Sequence, residues 1–184
     1  MLWRSRSRVW TPADATVLPV TLADVKDHLR VTGSDEDYTI TSYIGAAAQM
    51  VEVSTQRLLT IRSATLLLPG LPDSGDDLEL PGGKVQSLTS FTVNGVAQSL
   101  SGYVVAGDSP ARLIGSWPSV TAGGLPVSVV YVAGYTTCPP ELRQAVLLIV
   151  GELYRQRATG SDVKIEAAMI SANCIMDRYR IRAL

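Results

Sequence analysis

The chain has one histidine, His28, in 184 residues, and that scarcity removes much of the usual catalytic repertoire. Imidazole is the common base for serine and cysteine nucleophiles and the commonest zinc ligand. No GxSxG elbow is present. The two cysteines, Cys138 and Cys174, stand far apart without a CxxC or Cys/His cluster, so neither a disulfide framework nor a zinc site is encoded, and a reduced compartment fits. The longest apolar run, Ala145 to Val150, falls well short of the roughly 20 residues a membrane helix needs. No apolar signal core follows "MLWRSRSRVW", so a soluble, non-secreted protein with no membrane partner is expected. Charged residues make up 18% of the chain and the formal net charge is -1. That balance excludes both a disordered polyelectrolyte and a globally basic nucleic-acid binder.

Charge is uneven along the chain. Arg4, Arg6 and Arg8 lie in an N-terminal stretch without acids. It reads as an extended basic arm over 1–19, mainly solvated, with these arginines as candidates for contact with phosphate or carboxylate. Asp73, Asp76, Asp77 and Glu79 crowd a Gly/Pro-rich segment but lack the D-x-D-x-D-G ladder of a calcium loop. A flexible, solvated acidic loop facing a basic partner is expected there. "LPGGKVQSL" is the nearest approach to a phosphate loop, yet its spacing is wrong and a strand follows where a helix should start. No cofactor or metal is expected.

What remains is pattern. In "VTLADVKDHLRV", Thr21 can cap a helix with Asp24 three residues on, and Leu22, Val25 and Leu29 share a face. A helix over about 21–30 is expected. Ser34 as a second cap, acids in the first turn, and the stripe Ile40, Tyr43, Ile44, Ala47, Ala48, Val51 and Thr55 predict a long helix over about 35–57. From Ile61 to about 133 the segments become short and β-branched between Gly, Pro, Asn and Asp, predicting five or six strands. Asn94-Gly95 suits a type I′ hairpin. Pro139 then opens a helix over about 139–157 whose centre, "AVLLIVGEL", is apolar nearly all round. It is either a core rod or a surface shared between subunits, with Val146, Ile149 and Val150 as candidates for the latter. A last helix over about 162–182 is expected, capped at Ser161. It carries the stripe Ile165, Ala168, Met169, Ala172, Ile175, Met176 and Tyr179, with Arg178, Arg180 and Arg182 about its end. The fold class is α+β: a single domain over 20–184 in which two N-terminal and two C-terminal helices form a body interrupted by a small antiparallel β insertion.

Two chemical readings have a foothold. Cys138, just ahead of two prolines at a helix start, could be the nucleophile of a cysteine-dependent hydrolase, though its only possible imidazole partner is His28, itself read as a partly exposed surface residue. The N-terminal arginines could serve a DNA-packaging factor. Neither has a supporting constellation, and a non-enzymatic protein is expected.

The arrangement as a whole resembles a known family. The opening "TLADVKDHLRV...DEDYTITSYI", the pair "LP...VQSLTSFTVNG" and the elbow and helix "YVAGY...PPELRQAVLLIVGELY" resemble the head-tail connector (adaptor) proteins of tailed bacteriophages, prophages and gene transfer agents. The Arg-rich start before Val20 and the polar segment Lys164 to Met176 depart from that pattern. The resemblance implies a structural role in the virion neck, in a protein made in the host cytoplasm. It implies a homo-oligomeric ring of about twelve copies under the portal protein. DNA would pass through the lumen without sequence-specific binding, and a stopper or tail-terminator protein would dock beyond. Carried onto "YRIR", it implies that Tyr179, Arg180 and Arg182, with Met176 beside them, face the portal.

Overall fold

The computed structural model describes residues 2–3, 8–73, 75–120, 126–158 and 166–181. Strands β1 (Leu2–Trp3) and β2 (Val9–Pro12) come first, followed by helices α1 (Leu22–Leu29) and α2 (Asp37–Thr55). Seven more strands follow: β3 (Arg62–Leu68), β4 (Asp77–Leu80), β5 (Val85–Val93), β6 (Val96–Ala97), β7 (Val104–Ala106), β8 (Ala111–Ile114) and β9 (Val127–Ala133). Helices α3 (Pro140–Ala158) and α4 (Glu166–Tyr179) close the chain. The architecture is α+β, as its periodicities predict. It groups into two compact units, one containing the strands and one the four helices, where the sequence reads as a single domain behind an arm.

In the strand unit, one sheet has the order β2-β3-β9-β5-β6 and the other β1-β4-β8-β7. All pairs are antiparallel except β1 with β4. Strand β9 alternates strictly, burying Val127, Val129, Tyr131 and Ala133, while β3 beside it buries Ala64, Leu66 and Leu68. That period of two marks a strand with one face in a core. The hairpin at Asn94-Gly95 forms as its residues dictate: both have positive φ, 54° and 78°, and Val93 pairs with Val96. Gly82 and Gly83 are also left-handed, making "LPGG" a turn into β5. Above it the Tyr131 hydroxyl donates to the Pro81 carbonyl at 2.8 Å. Phe91 on β5 stands edge-on to Tyr103 before β7 and to Trp117 after β8, tying the two sheets together through one aromatic trio.

In the helical unit, α1 has the capping box its sequence implies. Asp24 N–H donates to Thr21 Oγ1 and Thr21 N–H to Asp24 Oδ2, both at 3.1 Å. Arg143 in the first turn of α3 bonds the same carboxylate at 3.0 Å. The Thr21 donors, with Arg143 adding to them, hold Asp24 below its ordinary carboxylate value. Helix α2 begins at Asp37 and not at 35: Glu36 occupies the N-cap, and Ser34 provides a turn carbonyl in place of a capping side chain. Lys26 of α1 pairs with Asp37 at 2.7 Å, fixing that start. Helix α3 begins one residue later than expected. The Pro139 carbonyl accepts from Arg143 N–H, which puts Pro140 at the first helical position, where a missing N–H costs nothing. The capping expectation for Ser161 lies outside the described residues.

Candidate assembly surface

Helix α3 packs against α1, α2 and α4. A rod packed against three neighbours buries apolar side chains on several sides, which accounts for Ala145, Val146, Ile149 and Val150 within "AVLLIVGEL". Val146 and Val150 are 0% exposed and Ile149 is 1% exposed. Where the sequence offers these three as ring-contact candidates, the isolated chain encloses them in its own core. Gly151 continues the rod where His28 comes close: a Cβ there would lie 3.5 Å from the imidazole Nε2.

Cys138 is buried too, and burial pushes its thiol up to about 11, with Glu52 adding to the rise and Arg143 only partly opposing it. A nucleophilic cysteine needs the opposite shift. Relative to a thiol at its ordinary value of 9.0, about a hundredfold less thiolate is present at neutral pH. Maleimide labelling in the native state at pH 7 is therefore expected to modify the exposed Cys174 and to leave Cys138 largely intact until the chain is unfolded. Equal labelling of both would contradict the burial. Because the folded-state value is raised, the unfolded thiol ionises first as pH climbs past about 9. Stability from this group is present below that pH and declines above it.

The N-terminal segment is not a free arm. Strand β2 pairs antiparallel with β3, Val9 opposite Leu67 through Pro12 opposite Ala64, and β1 pairs in parallel with β4. Arg8 lies 3.7 Å from the Glu79 carboxylate, so its contact is within the chain. The acidic segment changes character accordingly. Glu79 is buried on β4, Asp77 faces Arg112 at 3.8 Å, and the Asp76 carbonyl accepts from the Trp117 indole. Arg4 and Arg6 lie outside the described residues.

At the C-terminal end, Met176 is buried, Tyr179 half-buried and Arg180 exposed, while Arg182 lies outside the described residues. Arg180 is nevertheless engaged. Its Nε donates to the Ser54 carbonyl at 2.9 Å, its Nη2 to Ser54 Oγ at 3.1 Å, and Asp177 lies 3.2 Å away. In return, Arg57 Nε donates to the Tyr179 carbonyl. Beside this junction α2 and α4 leave a groove of about 560 Å³, walled by Met50, Val53, Met169 and Met176 with Gln49 and Asn173 and no charged side chain. Of its walls Met50 is 42% and Val53 64% exposed, and on α4 Ile170 is 57% exposed. The sequence does contain a sign of this face. Met50 and Val53 are apolar but fall off the stripe Ile40, Ile44, Ala47, Val51, Thr55 that α2 buries, and an amphipathic helix with apolar residues on its second face has a second surface to cover.

Comparison with known proteins agrees with the resemblance read from the sequence. Residues 19–81, from the approach to α1 through β4, match the family described as phage gp6-like head-tail connector protein. No curated protein matches. Among solved structures, the chain is similar to one in the neck of an empty gene transfer agent particle computed with C6 symmetry. The two share 25% identity with a TM-score of 0.76 over 95% of this chain and 97% of that one. It is also similar in fold to chains from a native gene transfer agent virion, at 24% identity and TM-score 0.72, and from a native neck computed with C12 symmetry, at 23% and 0.73. These cover 94% and 96% of this chain, and 96% and 97% of theirs.

Proposed function

We propose that this protein is a structural head-tail connector in the neck of a phage-like particle or gene transfer agent. Copies assemble as a ring of about twelve beneath the portal, extending the DNA channel and offering a docking surface to a stopper or tail-terminator protein. The observation that carries this reading is the end-to-end similarity, both units included, to a chain of a gene transfer agent neck at a TM-score of 0.76. The C6 and C12 symmetries of the matching necks support a ring. A net charge of -1 is compatible with a wall along which DNA slides without being gripped by its phosphates. The role is structural: a buried Cys138 with a raised thiol value gives a hydrolase nothing to start from.

Ring closure requires a heterologous contact, in which two different surfaces of each copy meet. With Val146, Ile149 and Val150 inside the core, we assign one of those surfaces to the exposed groove wall of Met50 and Val53. Val53→Asp is expected to leave the free chain's melting temperature within a few degrees of wild type while abolishing ring formation on the portal. Native mass spectrometry of the protein with and without purified portal rings tests both claims. Addition of about twelve copies per portal by the wild type supports the connector. A wild type that never associates with the portal refutes it, and a Val53→Asp chain that still forms complete rings refutes the surface.

A further inference from the structure

A helix end leaves its last carbonyls without intrahelical partners. In the helical unit, the two helices that end side by side solve this for each other. Ser54 lies in the last turn of α2, and its carbonyl accepts from Arg180, the residue immediately after α4. Tyr179 is the final residue of α4, and its carbonyl accepts from Arg57, two residues after the end of α2. The partners are 126 and 122 positions apart in the chain, so this is a tertiary device and not local capping. Gln56 between Thr55 and Arg57 is left-handed, with φ of 58°, which turns the chain out of the helix. Arg57 is buried, and Arg180 adds a second bond to Ser54 Oγ. Each cation also sits at the negative end of a helix dipole.

We infer that Arg57 and Arg180 are positioning residues that clasp the α2 and α4 ends crosswise and hold the C-terminal docking end of the chain preformed. The inference rests on the connector reading, in which that end meets the portal. It reverses the role the sequence suggests for Arg180: the guanidinium faces its own chain, and what it offers the partner is a fixed Tyr179. A segment already ordered before docking loses less conformational entropy when it binds.

The test uses the full chain with Arg180→Met, Arg180→Lys and Arg57→Met, and purified cognate portal rings as the probe. Hydrogen exchange of amides 176–180 reads the clasp, thermal melting reads the body, and titration onto portal rings reads docking. Arg180→Met is expected to speed exchange at the α4 end, keep the melting temperature within a few degrees, and weaken portal binding about tenfold to a hundredfold. Arg180→Lys, which keeps the charge but not the two-donor fork, is expected to fall between it and wild type. Arg57→Met is expected to match Arg180→Met in exchange. Should its buried site prevent folding, the half-exposed Arg180 still decides the question. Unchanged exchange at 176–180 overturns the clasp, and faster exchange with undiminished portal binding overturns its role in docking. A wild-type chain that does not bind portal rings refutes the connector reading itself, a different result from variants that bind as well as wild type.

Discussion

Replacing Ile149 with alanine is expected to destabilise the isolated chain by about 2–5 kcal/mol, measured by denaturant unfolding of the free protein. The side chain is 1% exposed, at the middle of a helix that packs against the other three, so its removal strands a cavity among packed neighbours. The size of the effect distinguishes two accounts of the same apolar helix. Were Ile149 a contact between subunits, its truncation would leave the free chain's stability within about 0.5 kcal/mol of wild type, as for ordinary surface substitutions. Only assembly would then suffer. A loss of about 2 kcal/mol or more in a chain that is not assembled places α3 in the core. Val53→Asp makes the complementary case, since it is expected to spare the fold and break the ring. Together the two substitutions separate the surface that holds one copy together from the surface that joins it to the next.

Gly115→Ala is the second substitution with a large expected effect, about 1–3 kcal/mol of destabilisation. A Cβ at this position would sit 2.3 Å from Tyr103 Cδ1, 2.7 Å from Cε1 and 3.0 Å from the Gly102 carbonyl. The cause is space and not backbone conformation. Tyr103 cannot easily give way: its ring centroid lies 5.0 Å from that of Phe91 and 5.6 Å from that of Trp117, and its hydroxyl bonds the Ser116 carbonyl at 2.9 Å. Moving the ring would disturb the trio that joins the two sheets. Gly45→Ala provides the control, because a Cβ there meets nothing within 4 Å and lies inside α2. It is expected to stabilise the chain by roughly 0.5–1 kcal/mol through helix propensity. Equal midpoints for Gly115→Ala and wild type would show that the trio tolerates displacement.

These expectations depend on how much each residue's role is decided locally. The capping box at Thr21 and Asp24, the buried stripe of α2, the type I′ turn at Asn94-Gly95 and the alternation along β9 all involve residues within a few positions of one another. Backbone sterics and short-range hydrogen bonding act at that distance, so the sequence carries these features openly. The same locality makes the scarcity of catalytic motifs legible: one histidine and no GxSxG elbow can be read directly along the chain. Boundaries were less legible. The start of α2 moved from 35 to Asp37 because Lys26, on a different helix, pairs with Asp37 and holds the turn ahead of it.

The sequence by itself therefore determined the α+β class, the order of the helices, the chief turns and the resemblance to head-tail connectors. Tertiary structure alone decided who faces whom. Periodicity shows that a helix has an apolar face but not what covers it, and so could not tell that Val146 and Ile149 are enclosed by three helices of their own chain while Val53 and Ile170 are left bare. Charge spacing shows that Arg8 and Arg180 are cations but not where their partners lie. Glu79 is brought to Arg8 through the pairing of β strands, and Ser54 to Arg180 by the meeting of two helix ends 126 residues apart in the chain. Those pairings form only when distant segments condense together, and no short window of sequence contains them.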